Sequence, residues 1–486
     1  KVDREERPDL DRVYQLSHQL LTGRGGGWPL TVFIDPQHHT PFYAGTYFPL
    51  ERRYGMPAFR EVLQSVHDWY RDKPAEVRQQ SQKLQDAIAA INAPAGASLP
   101  DAADAEELLR QAAAQLQSRH DVVNGGYGGS PKFPQAPMLE AVASLGTLEA
   151  GDSLHKGLRF TLQRMAESGL RDHLDGGFFR YCVDADWTIP HFEKMLYDNA
   201  MLLPLYAEGA KRWDDPALAA AAEGIVNWLT ASMLQPGGGY AASIDADADG
   251  QEGGFHVWQR KEVAAILPAE SAELFLRAYG LDQEPNFEHQ AWHLQRTADN
   301  AALAESSGLD EQQIETLLQS ARSQLLTSRA GRTHPTLDDK QLSSWNALLA
   351  AGLLRAGQAL QREEWLDLAD AIIDFLADRL WQGGQLLAVW HGSSARFPAY
   401  LDDYAFLLDA LLLSLQARWH AARLEFAVRL ADALMERFED PENGGFFFSD
   451  HAEEVPLGRS MIFQDDATPA GNAAAVRTLT RLGHLV

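Results

Sequence analysis

From residue 105 onward, apolar positions recur at helical spacing in segments that come in pairs. Amphipathic stretches at 105–118, 154–169, 218–234, 311–326, 365–380 and 424–438 alternate with stretches at 136–148, 191–210, 260–267, 342–360, 400–417 and 468–482 that are apolar on most sides. Between the two members of each pair stands a glycine pair followed closely by an aromatic or apolar residue. These are Gly125-Gly126-Tyr127, Gly176-Gly177-Phe178, Gly238-Gly239-Tyr240, Gly383-Gly384 and Gly444-Gly445-Phe446, with a degenerate Gly331 between the third and fourth. The first glycines are spaced 51, 62, 93, 52 and 61 residues apart, so the long interval holds an insertion. The pattern predicts six helical hairpins, arranged as an open solenoid or a closed (α/α)6 barrel. Closure is favoured, because an open superhelix would leave one side of the apolar second helices in water.

The first 90 residues follow a different pattern. A helix is expected at 7–21, short strands at 30–34 and 42–48, and a long helical region at 59–91. Two strands are too few for an independent sheet, so a preceding segment is expected to complete it, and the opening Lys1-Val2-Asp3 without Met agrees. The Pro- and Gly-containing stretch 93–99 reads as a linker. Beyond the linker, 188–199 (TIPHFEKMLYDN) reads as a helix start, with Thr188 as its cap and Pro190 in its first turn. At 100° per residue His191 and Asp198 would then share one face with Lys194 and Met195, with Glu193 pointing elsewhere.

Composition narrows the function classes. The net charge of −26 repels phosphate backbones and argues against a nucleic-acid partner. A single cysteine, Cys182, excludes an internal disulfide, a redox pair or a thiolate zinc site within these residues, and is compatible with a reducing, cytoplasmic compartment. No apolar run reaches the roughly 20 residues of a membrane span, and no signal peptide is visible, so no membrane association is expected. The oligomeric state is not legible.

The glycine loops and the starts of the second helices would lie at one end of the barrel, where acids, histidines and aromatic residues collect. Carboxylates among Trp and Tyr suit a sugar-like ligand, since rings stack on pyranose faces and acids bind hydroxyls. In an epimerase or isomerase, His191 supported by Asp198 would move a proton beside a carbonyl, with His173 opposite. In a glycosidase-like hydrolase, Asp247 and Asp339 would serve as acid and base. Lys340, Asp402, Asp403 and Asn472 would bind hydroxyls, Trp187, Trp258 and Trp345 would form stacking walls, and Glu193, Lys194, Asn199, Asp245 and Tyr400 complete the substrate-binding set. Helix capping alone also accounts for acids such as Asp338 and Asp339. The run Asp245-x-Asp247-x-Asp249-Gly250 resembles the start of a calcium loop, but its twelfth position is His256, so no metal is assigned. Neither route requires a cofactor. The alternative function is a non-catalytic ligand- or partner-binding module.

Seven motifs in order carry a resemblance: KVDREERPDLDRVY, GGGWPLTVFIDP, PFYAGTYFP, GGYGGSPKFPQ, DHLDGGFFRYCVDADWTIPHFEKMLYDNA, DDKQLSSWNALL and TPAGN. Over essentially its whole length the chain resembles the YyaL-like thioredoxin-domain proteins, relatives of spermatogenesis-associated protein twenty. The resemblance implies a partial thioredoxin-like domain at 1–91 and, at 100–486, a six-hairpin glycosidase-like (α/α)6 barrel similar to that of N-acylglucosamine 2-epimerases. It also implies a cis peptide at Trp28-Pro29. Family members usually carry a Cys-His-Trp-Cys sequence before KVDREERP, which this chain lacks, so no redox activity is expected of the chain as written.

Overall fold

The computed structural model of the chain describes residues 1–92, 102–146 and 151–486, and the linker expected at 93–99 lies outside the described residues. The N-terminal part is a small α/β unit. Helix α1 (Pro8–Thr22) precedes an antiparallel pair, β1 (Thr31–Ile34) and β2 (Pro41–Gly45), followed by α2 (Phe59–Asp72) and α3 (Pro74–Asn92). The long helix expected at 59–91 is two helices. Pro74 has no N–H to continue α2 and disfavours a helical Lys73, so the chain breaks there. Phe42, Val62, Val66 and Val77 make the small core of this unit, and the Trp28-Pro29 peptide is cis.

The rest is mainly α and builds a two-layered α/α barrel. Helices α4 (Ala102–Arg119), α5 (Ala136–Leu145), α6 (Gly151–Glu167), α7 (Leu196–Trp213) and α8 (Pro216–Trp228) alternate between outer and inner layers. An insertion follows, comprising α9 (Arg260–Ile266), α10 (Ala269–Ala278), α11 (Asn300–Ser307) and α12 (Glu311–Arg329), with its own core of residues such as Trp258, Phe275, Ile314 and Leu325. The barrel resumes with α13 (Ser343–Leu360), α14 (Glu363–Phe375), α15 (Leu401–Ala417), α16 (Ala421–Phe438) and α17 (Gly471–Leu485). Helices α5, α7, α13, α15 and α17 pack against one another in that order as the inner layer among the described residues.

Two details of the expected repeat change. The segments 260–267 and 311–326 belong to the insertion rather than to the barrel, and α8 leads on to α13. Gly331 is no hairpin loop, because it sits in an ordinary turn after α12. The tightest antiparallel pairs run from inner to outer helix across short turns, as in α7/α8 and α13/α14, so the glycine pairs join one such hairpin to the next.

Those loops explain their own sequence. In four of the five pairs both glycines have left-handed φ, for example 85° at Gly176 and 72° at Gly177, and in the third loop Gly237 and Gly238 have positive φ instead of Gly238 and Gly239. A Cβ on Gly177 would lie 2.7 Å from the Trp228 ring. An asparagine from an inner helix then clamps the aromatic residue that follows. Asn199 accepts from Phe178 N–H at 2.8 Å and donates to its C=O at 3.0 Å. Asn346 does the same for Tyr240, and Asn472 for Phe446. In three loops an aspartate opens the turn, with Asp121, Asp172 and Asp440 each accepting from two backbone N–H groups ahead of the glycines.

Candidate active site

The first turns of α7, α13 and α15 and the loop before α17 open on one cavity of about 910 Å3, and α1 with the Trp28 turn forms its other wall. Tyr197, Ser344, Trp345, Tyr400, Asp402, Asp403 and Phe406 line it from the barrel, and Arg4, Asp11, Arg12 and Trp28 from the N-terminal unit. The two walls are fastened together by charge. Lys340 Nζ lies 2.6 Å from Asp3, 3.2 Å from Glu5 and 3.0 Å from Asp338. The Tyr400 hydroxyl donates to Asp9 Oδ1 at 3.0 Å, and Arg7 grips Asp9 through two hydrogen bonds. The acidic and basic residues of KVDREERPD thus seat α1 on the barrel mouth.

Two adjacent carboxyls dominate the inner wall. Asp403 accepts from Ser344 N–H at 2.7 Å and Tyr400 N–H at 2.8 Å, joining the starts of α13 and α15. Burial pushes its pKa up to about 6, against the pull of those N–H groups. Asp402 is less engaged, since its Oδ1 is shielded from water yet has no hydrogen-bond partner. Burial, and then the neighbouring Asp403, push its pKa up to about 7, against Arg12 and the Gly471 N–H. At neutral pH such a carboxyl can both give and take a proton.

Of the residues singled out in the sequence, Trp345, Tyr400, Asp402 and Asp403 meet in this cavity. The others are dispersed, beginning with the 188–199 segment. The Asp184 carboxylate captures the N–H groups of Thr188 and Ile189, both at 2.7 Å, and Pro190-His191 pairs as a short strand with Tyr181-Cys182. Helix α7 therefore starts at Leu196, and His191 and Asp198 share no helix face. His191 Nδ1 meets Glu252 at 2.6 Å, and its ring stacks on Tyr181. Asp198 lies buried in the first turn of α7, and burial holds its pKa well above the usual carboxylate range although Arg180 draws it down.

His173 is half-buried with its Nε2 against the Ser168 carbonyl, and desolvation drives its pKa down to about 3. Asp245 and Asp247 are exposed beside a short hairpin, and Asp339 pairs with His391 at 3.1 Å. Trp187 is fully buried, donating to the Asn124 carbonyl, while Trp258 lies in the core of the insertion. Glu193 pairs with Arg180 at 2.8 Å. Lys194 belongs to a buried ionic set around Asp172, 2.9 Å from it, with Arg329 on the other side at 3.0 Å and His256 at 3.5 Å. Asn199 and Asn472 are the loop clamps, and Lys340 is the fastener of α1. Arg12, Trp28 and Phe463 also line the cavity but were not among the candidates; of the three only Arg12 lies in the charged N-terminal motif, and Phe463 lies in none of the motifs. Among the described residues, no group of three or more His, Cys, Asp or Glu is placed to hold a metal ion, and no helix is long and apolar enough to cross a membrane.

An uncharacterized protein of Caenorhabditis elegans is 31% identical to the chain across 99% of it and 70% of the relative. Spermatogenesis-associated protein 20 of Homo sapiens is 32% identical across 99% of the chain and 66% of that protein. The chain belongs to the spermatogenesis-associated protein 20 family. It spans about two thirds of the length of the family's human member. A family model described as thioredoxin DsbH-type, a protein of unknown function, matches residues 1–89, so the small unit that seats on the barrel is the thioredoxin-like part. Among solved structures, the chain is similar to an unsaturated glucuronyl hydrolase specific for heparin, with 13% identity, a TM-score of 0.47, and coverage of 79% of this chain and 81% of that one. The overall class is mainly α, a helical barrel with five inner and five outer helices among the described residues where the repeat predicted six hairpins, preceded by a thioredoxin-like α/β unit.

Proposed function

We propose that the protein is carbohydrate-active and works in the cavity between α1 and the barrel mouth, with Asp402 as its proton donor and acceptor. The observation that carries this reading is a carboxyl with one unpartnered oxygen and a pKa of about 7 on the wall of a roomy cavity lined with Tyr, Trp and Phe rings. No histidine lines this cavity among the described residues, which favours carboxyl chemistry over the two-histidine epimerase route. In a hydrolytic step, Asp402 gives its proton to the leaving glycosidic oxygen as the C–O bond breaks. Water adds at the anomeric carbon and releases the proton that restores Asp402. Asp403 holds the two helix starts in place, and Trp345, packed edge-on to Tyr197 at 4.8 Å, offers a sugar-facing ring.

The test is incubation with β-1,4-linked glucose and N-acetylglucosamine oligomers in D2O, followed by proton NMR. New reducing ends that vanish in Asp402→Asn are the expected result. Deuterium at C2 without cleavage would instead mean epimerisation. No turnover, with sugar binding retained, would mean a binding module.

A further inference from the structure

Trp28 is an exposed ring held as if buried. It is 54% exposed and lines the cavity, although it belongs to the thioredoxin-like unit rather than to the barrel. Its indole N–H donates to Asp11 at 2.8 Å, and the Arg4 guanidinium lies 3.8 Å from the ring centroid. Arg4 and Asp11 are themselves 3.8 Å apart, closing a small triangle around the indole. An exposed ring is ordinarily free to change rotamer; here a hydrogen bond and a cation–π contact fix its orientation before any ligand arrives. Phe463, 66% exposed, lines the same cavity from the loop before α17. The inner part of the cavity already has its own rings, Tyr197 and Trp345, beside Asp402.

The volume points the same way. At about 910 Å3 the cavity is near the top of the roughly 300–1,000 Å3 range of small-molecule sites, more than one sugar ring occupies. We infer that Trp28 and Phe463 form an outer stacking subsite and that the ligand is an oligosaccharide of at least two rings, an inference that rests on the carbohydrate function proposed above. The inner ring then lies against Trp345 and Asp402, and an outer ring lies on Trp28. On this view the thioredoxin-like unit is part of the sugar site and sets its chain-length preference.

Calorimetric titration of the full chain with glucose, N-acetylglucosamine and their β-1,4-linked tetramers tests this, using wild type, Trp28→Ala, Trp28→Phe and Asp402→Asn. The tetramer should bind about tenfold or more tighter than its monomer. Trp28→Ala should weaken the tetramer about three- to tenfold, the size of one aromatic stack, and leave the monomer within about twofold. Trp28→Phe should recover most of the loss. If Trp28→Ala does not fold, Asp11→Ala, which removes the acceptor of the indole N–H, should weaken the tetramer in the same selective way. Equal affinity for monomer and tetramer, or a Trp28→Ala effect equal on both, would overturn the subsite while Asp402-dependent turnover left the carbohydrate function standing. Absence of binding by all four sugars would overturn both.

Discussion

Asn199 leaves three buried backbone partners when its amide is removed, namely the N–H and C=O of Phe178 and the C=O of Met195. Each buried group left unpaired costs about 1–3 kcal/mol, so Asn199→Ala should lower the unfolding free energy by about 3 kcal/mol or more in urea titration. Asp402 acts in the opposite sense. With its pKa raised to about 7, and that of Asp403 to about 6, the folded state holds these protons more tightly than the unfolded chain does. Their contribution to stability is therefore fullest below about pH 4 and declines as pH rises to about 7. Asp402→Asn should gain in melting temperature relative to wild type between pH 4.5 and pH 8, and a constant difference across that range would refute the assignment. The cavity residues Tyr400, Asp402 and Asp403 were legible because acids and aromatics at the start of an apolar helix point to a barrel mouth. Asn199, Lys194 and Trp187 were misleading for a physical reason. The amide, ammonium and indole that could bind a sugar are equally suited to buried backbone carbonyls, and the sequence does not say which they meet.

At the level of elements, the decisive device is the aspartate that opens three of the glycine turns. Asp172 caps its own turn and also neutralises Lys194 and Arg329, tying the second glycine loop to the end of α12 in the insertion. Burial would raise its pKa, but Arg329 and Lys194 outweigh that and hold it well below the usual range. Asp172→Asn leaves the buried Lys194 without its counter-ion and Arg329 with only Asp175, 3.8 Å away, and should cost about 3–5 kcal/mol in chemical denaturation, with the barrel and the insertion losing cooperativity together. Helix periodicity revealed nearly all of the helices, since their apolar faces are long and regular. It missed the start of α7, where a single side chain, Asp184, takes the N–H groups that a helix would otherwise begin with. It also misassigned the insertion, because α9 and α12 carry the same amphipathic signature as barrel helices while burying it in a separate core.

Across the whole molecule, the thioredoxin-like unit and the barrel meet over the cavity through Lys340 and Tyr400. Lys340→Met removes the charge shared by Asp3, Glu5 and Asp338 and leaves three acids facing one another. Limited proteolysis should then cut the N-terminal segment several-fold faster than in wild type, whose own cleavage should quicken with added salt. The barrel was visible in the repeat, but the joint was not, because ion pairs between residues more than 300 positions apart leave no periodic trace. The central claim, that a sugar binds in the composite cavity, is tested most directly by thermal shift of wild type and Trp345→Ala against the two tetrasaccharides. A tetramer at about a hundred times its dissociation constant should stabilise the wild type by about 2.7 kcal/mol and lose most of that effect in Trp345→Ala. No stabilisation of the wild type, or a stabilisation untouched by loss of the Trp345 ring, would contradict the claim.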